Sequence, residues 1–177
     1  TETEDFIPRA DFDHAQRFLK DKLALDPQDA ESLTTLAALY NHRAEGYNRR
    51  AEALCKRALE AAPTMKAGHS LLSYAANGAC FDWCSRNHRE LIDYYYGFVE
   101  KNPDYRPGYM WLLDNLIDDL RLEESLHIIQ TIDRLRHDYY PVLMEGFVRS
   151  LLGEHDAAEA LFTEAMEAEP ENLYAWS

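Results

Sequence analysis

The stretch Gly153–Pro170, GEHDAAEALFTEAMEAEP, decides the fold. Ala157, Ala158, Leu161, Phe162, Ala165 and Met166 recur at i, i+1, i+4, i+5, i+8 and i+9, one apolar stripe on a 3.6-residue period. Gly153 suits the end of a preceding helix, where φ > 0 costs least. Pro170 cannot continue the helix and biases Glu169 away from helical backbone. One such helix cannot bury its stripe alone, so it needs neighbours.

Weaker copies lie upstream. DFDHAQRFLKDKLALDP ends at Pro27, RRAEALCKRALEAAP at Pro63, HRELIDYYYGFVEKNP at Pro103, and EESLHIIQTIDRLRH at His137 without a proline. Aligned on the small position they give Ala15, Ala51, Leu91, Ser125 and Ala158, at intervals of 36, 40, 34 and 33. Four residues on stand Leu19, Cys55, Tyr95, Ile129 and Phe162; three further stand Lys22, Ala58, Phe98, Ile132 and Ala165. A period in this range marks stacked helix pairs.

These residues resemble the tetratricopeptide repeat (TPR) family, whose repeat of about 34 residues pairs two antiparallel helices and carries A-x3-F…P in the second. The best copies are Ala30–Pro63 and Tyr139–Pro170. Positions matching the first-helix pattern W-x2-L-G-x2-Y are Leu33, Leu36, Ala37 and Tyr40, and in the last unit Val142, Glu145, Gly146 and Arg149. The central units carry His69, Leu72, Ser73 and Ala76, then Tyr109, Leu112, Leu113 and Leu116. Leu91 and Leu113 are bulky where the family is small, which predicts splayed or shifted helix pairs there. The expected fold is an all-α, right-handed α-solenoid of stacked antiparallel helix pairs with nine or ten helices and no strand. Residues 1–177 are expected to form a single array: a half repeat over 9–29, repeats over 30–65, 66–105, 106–138 and 139–172, and the start of a further helix over 173–177.

Local signals fill in the elements. Asp11 or Asp13 is expected to cap the first helix and Asp29 the second. Gly46 is expected to break the second helix after about Ala44. Pro107 and Pro141 suit first turns. The segment NGACFDWCSRN, Asn77–Asn87, is the longest departure from the period, read as a helix extended to about Cys84 or as a protruding loop. Thr1–Ile7 is expected to fray.

Composition bounds the function. The 177 residues are 46% hydrophobic and 28% charged, as for a soluble globular protein. No apolar run reaches the roughly 18 residues of a membrane span. Three cysteines at irregular spacing argue for free thiols in a reducing, cytoplasmic setting. There is no signal-peptide pattern; the chain starts at Thr1, and a leader removed before it stays open. A net charge of −14 disfavours nucleic acid and anionic membranes as partners and mildly favours basic ones.

Catalytic spacings are weak. Gly68-His69-Ser70 has only the first half of a nucleophile elbow. Asp11 and Asp13 lack the rest of a calcium loop. Asp114, Asp118 and Asp119 read as a solvated acidic face rather than a catalytic carboxylate pair. The one metal alternative is Cys80, Cys84 and His88. A structural zinc site needs four ligands, and on a helix Cys80 and His88 would lie about 12 Å apart. No metal, cofactor or enzymatic activity is expected.

The TPR resemblance implies a concave surface lined by first helices and used to hold a peptide. Its usual positions fall here on Thr34 and Asn41, then Tyr74 and Asn77, then Met110, Asp114, Ile117 and Asp118, then Tyr140, Leu143, Phe147 and Ser150, with Trp111 and Met144 beside them. The lysine and asparagine pattern by which some members clamp a terminal carboxylate is missing. The expected ligand is a protein or peptide carrying apolar and basic residues, bound without catalysis. The alternative is self-assembly into a homo-oligomer: NLYAWS, Asn172–Ser177, starts another first helix, which predicts that the chain is part of a longer protein or packs its ends against a second copy.

Overall fold

The computed structural model describes residues 9–42, 49–77 and 88–170. Among them are nine helices and no strand: α1 Arg9–Leu25, α2 Ala30–His42, α3 Arg49–Ala61, α4 Lys66–Asn77, α5 His88–Lys101, α6 Arg106–Asp118, α7 Leu122–Leu135, α8 Tyr139–Leu151 and α9 His155–Ala168. They form two compact units, one holding α1–α4 and the other α5–α9. The boundary falls within the repeat expected over 66–105. Within each unit consecutive helices pack on one another, and α2 also touches α4.

The second-helix stripes are buried as their spacing predicts. Ala51, Cys55 and Ala58 of α3 are buried, as are Leu91, Tyr95 and Phe98 of α5, and Ser125, Ile129 and Ile132 of α7. On α9 Ala158 and Ala165 are buried and Phe162 is half-buried. α1 is the weakest copy: Leu19 and Phe12 are buried, Ala15 is half-buried and Lys22 is exposed. Each Leu or Ile sealed in these stripes, such as Leu91 or Ile132, is worth about 1.5–3 kcal/mol against exposure.

Three of the connections repeat one chemistry. Pro27, Pro63 and Pro103 each take the second place of a four-residue turn, closed by Asp29 N–H to the Asp26 carbonyl at 3.3 Å, Met65 to Ala62 at 3.1 Å, and Tyr105 to Asn102 at 3.1 Å. Proline's fixed φ suits that position. Asp29 then caps α2: its Oδ1 accepts from the Ser32 backbone N–H at 3.2 Å and its Oδ2 from the Ser32 hydroxyl at 2.5 Å. Those bonds, with Lys22 Nζ at 3.1 Å, lower the Asp29 carboxyl to about 2. The expected Asp11 or Asp13 cap is corrected: α1 is already helical at Arg9, so both lie inside it, where Asp11 still complements the helix dipole of the first turn.

Two connections inside helix pairs share a different design. Glu154 N–H bonds the Arg149 carbonyl at 2.9 Å, and Arg121 N–H bonds the Leu116 carbonyl at 2.9 Å. Both are six-to-one closures around a left-handed residue. That residue is Gly153 at φ +80° in one and Leu120 at φ +57° in the other.

Where first helices meet their neighbours, small residues set the distance. A Cβ on Gly146 would stand 2.9 Å from the Phe162 ring, and one on Gly108 2.9 Å from the Phe98 ring. Leu113, at the position of Gly146 in the preceding pair, is fully buried. There the aromatic partner is replaced by the slimmer Ile129, so bulk moves from one helix to the other. Gly68, His69 and Ser70 lie on α4. His69 is fully buried, its Nε2 is 2.8 Å from the Pro63 carbonyl oxygen, and burial lowers its pKa against that hydrogen bond.

Candidate functional site

The first helices α6 and α8 of the second unit converge on one polar cluster. Arg106, in the first turn of α6, places its guanidinium 5.6 Å from the Tyr140 ring centre on α8, within cation–π range. Its Nη2 donates to Asp138 Oδ1 at 2.7 Å, while the same carboxylate oxygen accepts the Tyr140 backbone N–H at 3.1 Å and so caps α8. Arg136 Nε stands 3.3 Å from Asp138 Oδ2. The Arg106 Nε atom and the Asn115 Oδ1 atom are buried without a hydrogen-bond partner.

Asp114 faces this cluster. Burial among surrounding protein atoms, and then the Asp118 carboxylate, push its carboxyl up to about 7. Its own surface is nevertheless exposed. Burial raises the Tyr140 hydroxyl, Asp114 raises it further, and Arg106 opposes them. Asp114 on α6 therefore acts on Tyr140 at the start of α8.

Trp111, Asp114 and Asp118 recur at i, i+3 and i+7 on α6, opposite the buried Leu112, Leu113 and Leu116. Trp111 and Met110 are half-buried and Asp118 is exposed. On α8, Tyr140, Met144, Phe147 and Leu151 follow at intervals of four, three and four; Phe147 and Leu151 are each 45% exposed. Ile117, also on the expected lining, is buried in the core at 8%.

In the first unit Thr34 is half-buried on α2 with its hydroxyl 3.2 Å from the Met65 sulfur. Asn41 is buried at 8% exposure and offers little to a ligand. Tyr74 and Asn77 fall on α4, with their side chains outside the described residues. Of the metal alternative, Cys80, Cys84 and the His88 side chain also lie outside the described residues, as does Trp176. Among the described residues no group of three or more His, Cys, Asp or Glu could hold a metal, and no helix is long and apolar enough to cross a membrane. Cys55 is a buried free thiol, pushed up to about 12 by burial and by Glu52.

Arg106 and Asp138 were invisible to repeat spacing. The available signal was an arginine just before the first-turn Pro107 and an aspartate at a helix N-cap, 32 residues apart.

No protein-family model matches the chain, and no curated protein does. Solved structures do. MamA from Desulfovibrio magneticus, residues 41 to the end, is 18% identical, with 93% of this chain and 89% of that one covered at a TM-score of 0.64. YrrB, described as a TPR protein with an unusual peptide-binding site, is 15% identical over 94% of this chain and 82% of its own, at 0.64. TTC0263, a TPR protein of Thermus thermophilus, is 17% identical over 94% and 88%, at 0.62. At such identities the likeness speaks for the fold alone: the chain has a TPR-like helical repeat fold, and its described residues are helical as in the TPR structures it resembles.

Proposed function

We propose that this protein is an interaction scaffold, and that the α6–α8 face docks a peptide segment of a partner protein without catalysing any reaction on it. The observation that supports this reading is that Asp114 of α6 acts on the Tyr140 hydroxyl of α8, so that side chains of two first helices lie near one another. Met110, Trp111, Tyr140 and Phe147 supply apolar and aromatic area, and Asp114 with Asp118 supplies negative charge. The complementary segment carries apolar anchors and a lysine or arginine. The peptide site named for YrrB lends the fold-level precedent. A buried free thiol at Cys55 supports a reducing, cytoplasmic setting.

Selection of displayed random 12-residue peptides on the full chain tests the reading. Buried aromatics carry most interface energy, often about 2 kcal/mol each. Trp111→Ala or Phe147→Ala should therefore weaken the selected peptides roughly tenfold or more, through faster dissociation. Asp114→Asn with Asp118→Asn should cost less, mostly at low salt. Selected peptides that are acidic, or indifferent to all four changes, would overturn it.

A second reading, self-association, is favoured by Phe18 and Leu25, exposed at 60% and 89% and seven residues apart on α1. Light scattering across concentration separates the two, because a docking module stays monomeric.

A further inference from the structure

Tyr140, Met144, Phe147 and Leu151 follow one another on α8 at intervals of four, three and four, so they share one side of the helix over about 16 Å of its length. Phe147 and Leu151 are exposed and Tyr140 and Met144 half-buried, while Gly146 and Val148 are buried on other sides of the helix. α6 adds half-buried Trp111 and exposed Asp114, the residue that acts on Tyr140.

This chemistry suits a ligand that closes its own backbone hydrogen bonds. An extended segment presents an unpaired N–H or C=O at nearly every residue, and a surface that holds one offers a strand edge or side-chain amides in return. α6 and α8 offer neither. They are helices throughout, and their single carboxamide, Asn115, is 3% exposed, with its Nδ2 donating to the Trp111 carbonyl at 2.7 Å. A helical ligand needs only its side chains to be met. An amphipathic one carries its apolar stripe on the same 3.6-residue period as α8, so the ridges of one fit the grooves of the other.

Charge distinguishes the flank of such a helix. Arg149 on α8 is held by Glu145 at 2.8 Å and Glu154 at 2.6 Å, and Arg106 on α6 by Asp138 at 2.7 Å. Asp114 meets no cation and accepts no hydrogen bond among the described residues. Burial and the Asp118 carboxylate push its carboxyl up to about 7, so an incoming cation would stabilise the ionised form.

We propose that the segment docked on this face is an amphipathic α-helix, which lays an apolar stripe along Tyr140, Met144, Phe147 and Leu151 and turns a lysine or arginine on its flank to Asp114. This rests on the docking reading of the α6–α8 face and adds the conformation of the ligand, with Leu151 as a further anchor.

The test uses the peptides selected on the full chain, made synthetically. Cα chemical shifts of an isotope-labelled peptide should move to helical values on binding. A proline placed mid-peptide, away from the apolar stripe, should weaken binding roughly tenfold or more, because it breaks the helix without removing a contact. Leu151→Ala should weaken binding roughly fivefold and leave Tm unchanged, since the side chain is 45% exposed in the free chain. Asp114→Asn should weaken it about threefold at low salt. Peptides that depend on Trp111 and Phe147 yet keep extended shifts, tolerate the central proline, or ignore Leu151→Ala or Asp114→Asn overturn the docked helix and leave the docking reading standing. Peptides indifferent to Trp111→Ala and Phe147→Ala, or no enrichment at all, remove both.

Discussion

Two neighbouring helix pairs, α6–α7 and α8–α9, solve one packing problem in opposite ways. Thirty-three residues separate their equivalent positions, as from Leu120 to Gly153. In α8–α9 the first helix is pared down to Gly146 and the second fills the gap with Phe162, so that even a Cβ would come within 2.9 Å of the ring. In α6–α7 the first helix carries the bulk as buried Leu113, facing a second helix with Ser125 and Ile129. The turns differ likewise, a glycine in one and a strained leucine in the other. So do the open faces, where Asp114 and Asp118 occupy the places of Phe147 and Leu151. A repeat conserves the sum of volumes at an interface, not the residue at each position. Variation is free where water, not protein, lies opposite.

The largest expected effect comes from forcing one solution onto the other. Gly146→Leu puts a side chain into the Phe162 ring and should cost about 1–3 kcal/mol, read as a fall in Tm. Adding Phe162→Ile recreates the Leu113–Ile129 pairing and should recover much of that loss; a double-mutant cycle showing simple additivity would break the equivalence drawn here.

The turns should follow. Gly153→Leu should lose about 1–2 kcal/mol, because a side chain at φ +80° meets the following carbonyl. Leu120→Gly should gain about 0.5–1 kcal/mol, less than the mirror-image loss because glycine also frees the unfolded chain. Chemical denaturation of both variants checks the pair of signs.

A smaller gain is expected at Asn115, 3% exposed, whose Nδ2 donates to the Trp111 carbonyl at 2.7 Å while its Oδ1 has no partner. The equivalent residue in the other pair is buried Val148. Asn115→Val removes an unsatisfied buried acceptor and leaves the Trp111 carbonyl its helical bond, so stability should rise by up to about 1 kcal/mol.

The gentlest probe is pH. A carboxyl raised to about 7 in the folded state binds its proton more tightly there than unfolded. Stability from Asp114 is therefore complete below the ordinary carboxylate range and is lost as pH rises from about 4 to about 7. His69 has the opposite sign. Burial lowers its pKa, so the neutral ring favours folding and stability falls as pH drops through the ordinary histidine range near 6.5. Asp114→Asn should flatten the first slope in urea titrations between pH 4 and 8, and Asp114 has no counterpart in Phe147. An unchanged slope would show that Asp114 titrates as any surface carboxylate.

Much of the architecture was legible beforehand because it rests on short-range rules. The apolar spacing in Ala51–Ala58 or Ser125–Ile132 selects one helix face whatever lies opposite it. Proline at 27, 63 and 103 and glycine at 153 stop helices through their own backbone restrictions. The aspartate caps were half legible: Asp29 caps as expected, whereas Asp11 and Asp13 sit within α1 because the helix begins earlier, at Arg9. Of the expected lining, Asp114, Asp118 and Tyr140 do come together, while Asn41 and Ile117 turn into the core. A repeat position specifies an angle on the helix, and a shift of a few tens of degrees suffices to bury a residue placed at its edge.

The sequence by itself determined the helices, their pairing period and the apolar seam of each second helix, because these follow from backbone restriction and a 3.6-residue period. Only the tertiary structure decided that Arg106 would join Asp138 and Tyr140, that burial and the Asp118 carboxylate would raise the Asp114 carboxyl, and that Leu120 would project beside a charged cleft. Each of these depends on side chains brought together from different helices, and the strength of a charge or the cost of a strained residue is set by what the fold places around it.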